Sequence, residues 1–148
     1  MTIIGVRTVV AALTLVGCLG IGSAIADPTG IWLDKDGDTL RIQPCGAALC
    51  GTIVDLKVRL DPETGRPRAD KKNADAGRRN QPLLGVQSLI SMRPAGPGKW
   101  SGKLYNPDDG KTYMGNLIEL GQGKIRVEGC VLGLCGGESL SRVGSASL

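Results

Sequence analysis

The side chains that could do chemistry in this sequence fall into a few groups. They are two cysteine clips, a short run of oxygen-bearing residues, a basic cluster and two tyrosines beside an acidic turn. The clips are CGAALCG, with Cys45 and Cys50, and CVLGLCG, with Cys130 and Cys135; both have four intervening residues. A redox pair usually has two intervening residues and a thiol of lowered pKa, so this spacing argues against exchange chemistry. C-x4-C lies at the edge of zinc-site spacing. In an exported chain, disulfides are the stronger expectation. The sequence contains no histidine, which excludes His-based triads, His acid/base pairs and His metal ligands.

Asp70, Asn73 and Asp75 place three oxygen-bearing side chains close together. A calcium loop of the EF-hand type needs a glycine at the bend and a closing glutamate, and neither is present. Two lysines also intervene, so the expected role is structural, through side-chain-to-backbone bonds within a loop; no metal site is assigned. Tyr105 and Tyr113 flank the turn Asn106-Pro107-Asp108-Asp109-Gly110 and could orient a ligand. Asp55 has no partner at a recognisable spacing. No catalytic residue and no cofactor are assigned, and a non-enzyme is expected.

The basic residues are unevenly distributed. Residues 57–79 hold eight Lys or Arg against four Asp or Glu, within a chain of net charge +4. Arg66, Arg68, Lys71, Lys72, Arg78 and Arg79 form a candidate contact for an anionic envelope surface, lipid or cell-wall polymer. The plainer alternative is a solvated loop. Confinement to one segment argues against a general nucleic-acid-binding surface.

These groups must be positioned by a chain whose first 26 residues read as a secretory signal peptide. They carry one charge, Arg7, then an apolar run ending in Ala24-Ile25-Ala26. Glycines interrupt that run, so a membrane-spanning segment is not expected. Leu15-Val16-Gly17-Cys18 also fits a lipobox, which would leave Cys18 as a lipid anchor. Its tether, LGIGSAIA, would be apolar where tethers are usually solvated. Cleavage after Ala26 is preferred, giving a periplasmic or secreted domain over residues 27–148 with four cysteines.

That domain reads as strands separated by Gly, Pro and Asp. The expected strands are 31–33, 39–43, 51–58, 83–92, 99–105, 111–120, 124–128 and 139–143. The 59–82 segment between the third and fourth is a long charged connection, a length that is usually functional or disordered. About eight short strands in meander order, without helical periodicity, predict an all-β antiparallel sheet curled into an up-and-down barrel or a sandwich. Eight strands leave room for packed side chains or one small ligand. A small apolar or amphipathic molecule is the expected partner. The alternating faces suggest an interior lined by Leu40, Ile42, Val54, Leu56, Leu117, Ile125 and Val127, with Tyr105 and Tyr113 near one end.

Meander order also bears on the cysteines. Cys45 and Cys50 flank the turn after the second strand, and Cys130 and Cys135 the turn after the seventh. Such turns lie at opposite ends of an up-and-down barrel, too far apart for bridges needing Cα atoms within ~7 Å. Local bridges Cys45–Cys50 and Cys130–Cys135 are therefore expected.

Gly30-Ile31-Trp32 resembles the G-x-W of the first strand in lipocalins and related barrels. That resemblance implies that Arg142, in the last strand, lies over Trp32 and closes one end. More specifically, the mature chain resembles the family called domain of unknown function 2147, small exported bacterial proteins. The likeness is carried by Gly30-Ile31-Trp32, Cys45-Gly46, Leu49-Cys50-Gly51-Thr52-Ile53-Val54 and Asp70, Asn73 and Asp75. It continues through Pro82-Leu83-Leu84-Gly85, Trp100 to Pro107, Gly110-Lys111-Thr112-Tyr113, Gly129-Cys130 and Arg142. It implies a lipocalin-like barrel in the envelope and brings no catalytic residues. Where the family pattern commonly has tryptophan two residues before the final arginine, this chain has Leu140.

Overall fold

A computed structural model describes residues 27–145. The expected signal segment and Cys18 lie outside the described residues. Eight strands follow in order: β1 Gly30–Leu33, β2 Thr39–Cys45, β3 Ala48–Asp55, β4 Gln87–Gly96, β5 Lys99–Asn106, β6 Lys111–Gly121, β7 Lys124–Val131 and β8 Leu134–Gly144. Each pairs antiparallel with the next, and β8 pairs back with β1, so the sheet is a closed barrel without edges. Of the barrel and the sandwich that the strand pattern allows, this is the barrel, as the lipocalin-like resemblance implies.

Alternation of direction gives the barrel two distinct ends. One carries the start of β1, the end of β8 and the turns β2–β3, β4–β5 and β6–β7. The other, the mouth, carries the turns β1–β2, β5–β6 and β7–β8 and the long β3–β4 connection. Trp32 plugs the first end. It is 1% exposed, pairs in register with Leu40 and Arg142, and donates its indole N–H to the Pro28 carbonyl at 2.9 Å. Above it a packed layer contains Ile42, Leu89, Met92, Leu117 and Ile125, all fully buried.

Several boundaries differ from the expected ones for identifiable reasons. The strands run through the cysteine clips, leaving only two-residue turns at Gly46-Ala47 and Leu132-Gly133. β8 therefore begins at Leu134, where a start near residue 139 was expected. β4 starts at Gln87 and continues through Pro94. Its register shifts between Ile90 and Arg93, with Ser91 at φ 50°, and the extra residue lets Leu89 and Met92 both face inward. β3 ends at Asp55, so Leu56 and Val58 lie beyond the strand that was expected to hold them.

The connection after β3 folds on itself. Leu60 bridges Pro67 and Ala69 bridges Pro82, while a 3-10 turn, Ala76–Arg78, is capped by Asp75. Leu83 N–H donates to the Arg68 carbonyl at 2.9 Å, which brings this ribbon back to the mouth.

Candidate functional site

The inner faces of the strands converge on a cavity of about 710 Å³ at the mouth. Its deeper walls are Leu40, Ile53, Leu104, Val127 and Leu140, which belong to the core cluster or pack against it. Tyr113 and Leu83 lie higher, and charged residues form the rim. A hydrophobic floor below a polar rim is the usual constitution of a small-molecule site, and the volume falls in the usual ~300–1,000 Å³ range.

The nine expected lining residues divide by position. Leu40, Val127, Tyr105 and Tyr113 border the cavity. Ile42, Leu117 and Ile125 are wholly buried in the packed layer beneath. Val54 is the unpaired residue of the register shift between Thr39 and Leu40 and lies outside both the core cluster and the cavity lining, whereas its neighbour Ile53 pairs with Leu40 and lines the cavity. Leu56 is buried past the end of β3, outside the lining. The two errors have different causes: Ile53 and Val54 are both apolar, so alternation alone cannot say which is inward, while Leu56 is displaced because β3 stops at Asp55.

Tyr105 sits at the border between the cavity and a second groove of about 600 Å³ under the β3–β4 connection. Its hydroxyl donates to Asp70 Oδ1 at 2.6 Å. Asp70 is fully buried and also accepts from Asn73 Nδ2 at 2.7 Å and Gln81 Nε2 at 3.2 Å. Burial, reinforced by the Asp70 carboxylate, pushes the Tyr105 pKa up to about 12. The Asp70-Asn73-Asp75 run is thus a latch: Asp70 ties the loop to β5, and Asp75 caps the 3-10 turn. Gly110 completes the docking. At φ 72° its backbone comes so close to the loop that a Cβ would lie 1.6 Å from the Lys72 carbonyl oxygen.

The six basic residues are largely engaged. Lys71 pairs with Asp61, Lys72 Nζ donates to the Asp108 carbonyl at 2.6 Å, and Arg78 lies 3.5 Å from Asp75. Arg79 Nε donates to the Asn73 carbonyl at 2.8 Å. Arg68 reaches the mouth, where it lies 3.4 Å from the Val58 carbonyl and 3.8 Å from Asp38. Arg66 is exposed, and its side chain has no ion pair or hydrogen bond among the described residues.

Both disulfides are local, Cys45–Cys50 and Cys130–Cys135, with Cα separations of 5.7 and 4.0 Å. They staple hairpins at opposite ends of the barrel. At the end away from the mouth, the Arg142 guanidinium lies 4.3 Å from the Trp32 ring centroid. It also donates to the Thr29 carbonyl at 2.5 Å and the Asp27 carbonyl at 2.7 Å, fastening the entering chain across the base.

Ile53, Leu104 and Leu140 on the deep wall escaped the sequence reading, and so did the one charged residue near them: Glu138 lies between the rim and the deep wall, paired in register with inward-facing Val127. The available signal was parity: Glu138 and Leu140 share one face of the strand with Arg142, which the resemblance places over Trp32 at the barrel's end.

A closed eight-stranded antiparallel barrel with an Arg-on-Trp base and an open mouth defines the lipocalin-like class. The Helicobacter pylori protein HP1028, described as belonging to the lipocalin family, has a similar fold, with a TM-score of 0.66. The two are 19% identical over 79% of this chain and 83% of that one. The family model of uncharacterized proteins conserved in bacteria, domain of unknown function 2147, matches residues 30–142. The chain belongs to that family. No curated protein matches it. Among the described residues, no helix is long and apolar enough to cross a membrane.

Proposed function

We propose that this protein is a non-enzymatic, exported binding barrel that holds a small apolar or amphipathic molecule in its mouth. The observation that carries this reading is the 710 Å³ cavity above an apolar floor, in a barrel whose other end is sealed by Trp32 and Arg142. The strand interiors supply non-directional apolar contact, and the rim supplies polar groups for a headgroup. The two disulfides fit an oxidising compartment outside the cytoplasm. Against catalysis stands the use of the polar groups: Asp70 is consumed by three donors that hold the loop.

The test is displacement of an environment-sensitive naphthyl probe from the purified native protein, with mass analysis of any co-purifying molecule. Saturable probe binding that is abolished by Leu140→Trp, which fills the cavity, is the expected result. Binding of equal strength in that variant places the probe elsewhere and refutes the reading.

A further inference from the structure

We infer that the cavity selects amphipathic molecules with a cationic, hydrogen-bond-donating head, such as a primary ammonium, and that Glu138 is the group that reads it. This deepens the binding reading above and rests on it.

The inference starts from the chemistry of the wall. β8 runs down the barrel interior through Glu138, Leu140 and Arg142, which meet the mouth, the core and the Trp32 base in turn. Glu138 is held in place by close strand packing: at its neighbour Gly137 a Cβ would lie 2.0 Å from the Val127 carbonyl oxygen. The Glu138 Oε2 atom is buried and accepts no hydrogen bond among the described residues. The Glu138 side chain as a whole is 34% exposed and has Lys35 as a long-range ion-pair partner, so the unmet demand lies at the one buried oxygen, and a donor brought into the cavity meets it.

The structure already contains a stand-in for such a head. Lys35 Nζ, from the β1–β2 turn, lies 3.5 Å from Glu138 Oε2, beyond ordinary hydrogen-bond length. That ammonium is closer to Asp36, and its side chain is 64% exposed, so it can swing away. A ligand ammonium entering from the mouth can take the same position at shorter range, with its alkyl chain against Leu40, Val127 and Leu140.

The remaining rim charges favour the same sign. Five carboxylates and three cations border the cavity. Of the cations, Lys35 faces Asp36 and Arg68 faces Asp38, while Lys57 is exposed. An anionic head would have to sit among the carboxylates and compete with these pairings.

The experiment measures displacement of the same naphthyl probe by decylammonium, decanoate and decanol, all below micelle formation. It uses the full mature protein, Glu138→Gln and Lys35→Met, with disulfide content and near-ultraviolet dichroism recorded for each. The wild type should bind decylammonium about tenfold or more tighter than decanoate. Glu138→Gln should bring the two within about threefold, and Lys35→Met should tighten decylammonium by freeing the carboxylate. A preference for decanoate, or an ammonium preference surviving in Glu138→Gln, overturns the inference and leaves the binding reading intact if decanol still displaces the probe. Failure of all three compounds to bind the wild type overturns both.

Discussion

Tyr105 and Asp70, 35 residues apart in sequence, share a hydrogen bond of 2.6 Å between β5 and the long connection. It is the contact by which the loop is anchored beside the mouth. Tyr105→Phe removes the donor and leaves a buried carboxylate with two amide partners. A bond to a charged group contributes about 1.5–3 kcal/mol, so a loss of that order is expected in urea unfolding. Hydrogen exchange should quicken first in residues 69–83. Uniform exchange with unchanged stability would remove the latch.

The same contact sets a pH limit. A phenol whose neutral form is favoured by the fold contributes fully below its ordinary value of ~10. That contribution is lost as pH rises toward about 12, where Tyr105 ionises. Phenolate absorbance should show one tyrosine titrating near that value in wild type and absent in Tyr105→Phe. The Tyr113 pKa is also raised, by its hydrogen bond to Asp109, so Tyr113→Phe must be titrated beside Tyr105→Phe to assign the two.

At the acid side the relevant pair is Asp61 and Lys71. The Lys71 ammonium and the N–H groups of Glu63 and Thr64 hold the Asp61 pKa down to about 2. A depressed carboxylate stabilises the fold above its ordinary value of ~3.9, and the gain is lost as pH falls toward about 2. Lys71→Met should raise the Asp61 value, read by carbon-detected NMR of the carboxyl group. It should also move acid unfolding to higher pH. An unchanged carboxyl titration would mean that the backbone donors alone suffice.

Arg142→Met keeps much of the aliphatic stem but removes the charge over Trp32 and both carbonyl contacts. Arg142 is exposed, so a cation–π contact of about 0.5–1 kcal/mol and two solvent-facing hydrogen bonds predict a loss near ~1–2 kcal/mol in denaturant. Tryptophan emission should shift to the red. Arg142→Lys should recover only part of the loss, because an ammonium cannot reproduce the planar fork.

Leu132 occupies a turn position with φ 50° and is 99% exposed. Gln122 has nearly the same backbone, φ 53°, in the β6–β7 turn, so the geometry does not call for an apolar residue. Asparagine tolerates the left-handed region better than leucine. Leu132→Asn should therefore raise stability by about 0.5–1 kcal/mol in thermal unfolding. A loss would show that the leucine makes a stabilising contact.

Much of the architecture was legible in the sequence because strand periodicity and turn residues are local signals. Alternation at Thr39–Gln43 and Lys124–Glu128, with turns at Asp34–Asp38 and Asn106–Gly110, was enough to count the strands. The count then placed the two clips at opposite ends, which made the bridges local. The base was legible through resemblance and not through pattern: Gly30-Ile31-Trp32 and Arg142 match the residues that close the end of lipocalin-like barrels.

What the sequence by itself determined was therefore the meander and its local staples, while closure of the sheet rested on the resemblance. Tertiary structure alone decided which of Ile53 and Val54 faces inward, because both are apolar and a register shift near Leu40 sets the choice. It also decided how the charged loop is held against the barrel, as where Lys72 donates to the Asp108 carbonyl 36 residues away. Most consequentially, it turned Glu138 from one acidic residue among many into a carboxylate on the cavity wall. A strand residue's parity is written locally, but whether its face meets water, core or cavity depends on what the other seven strands place opposite it.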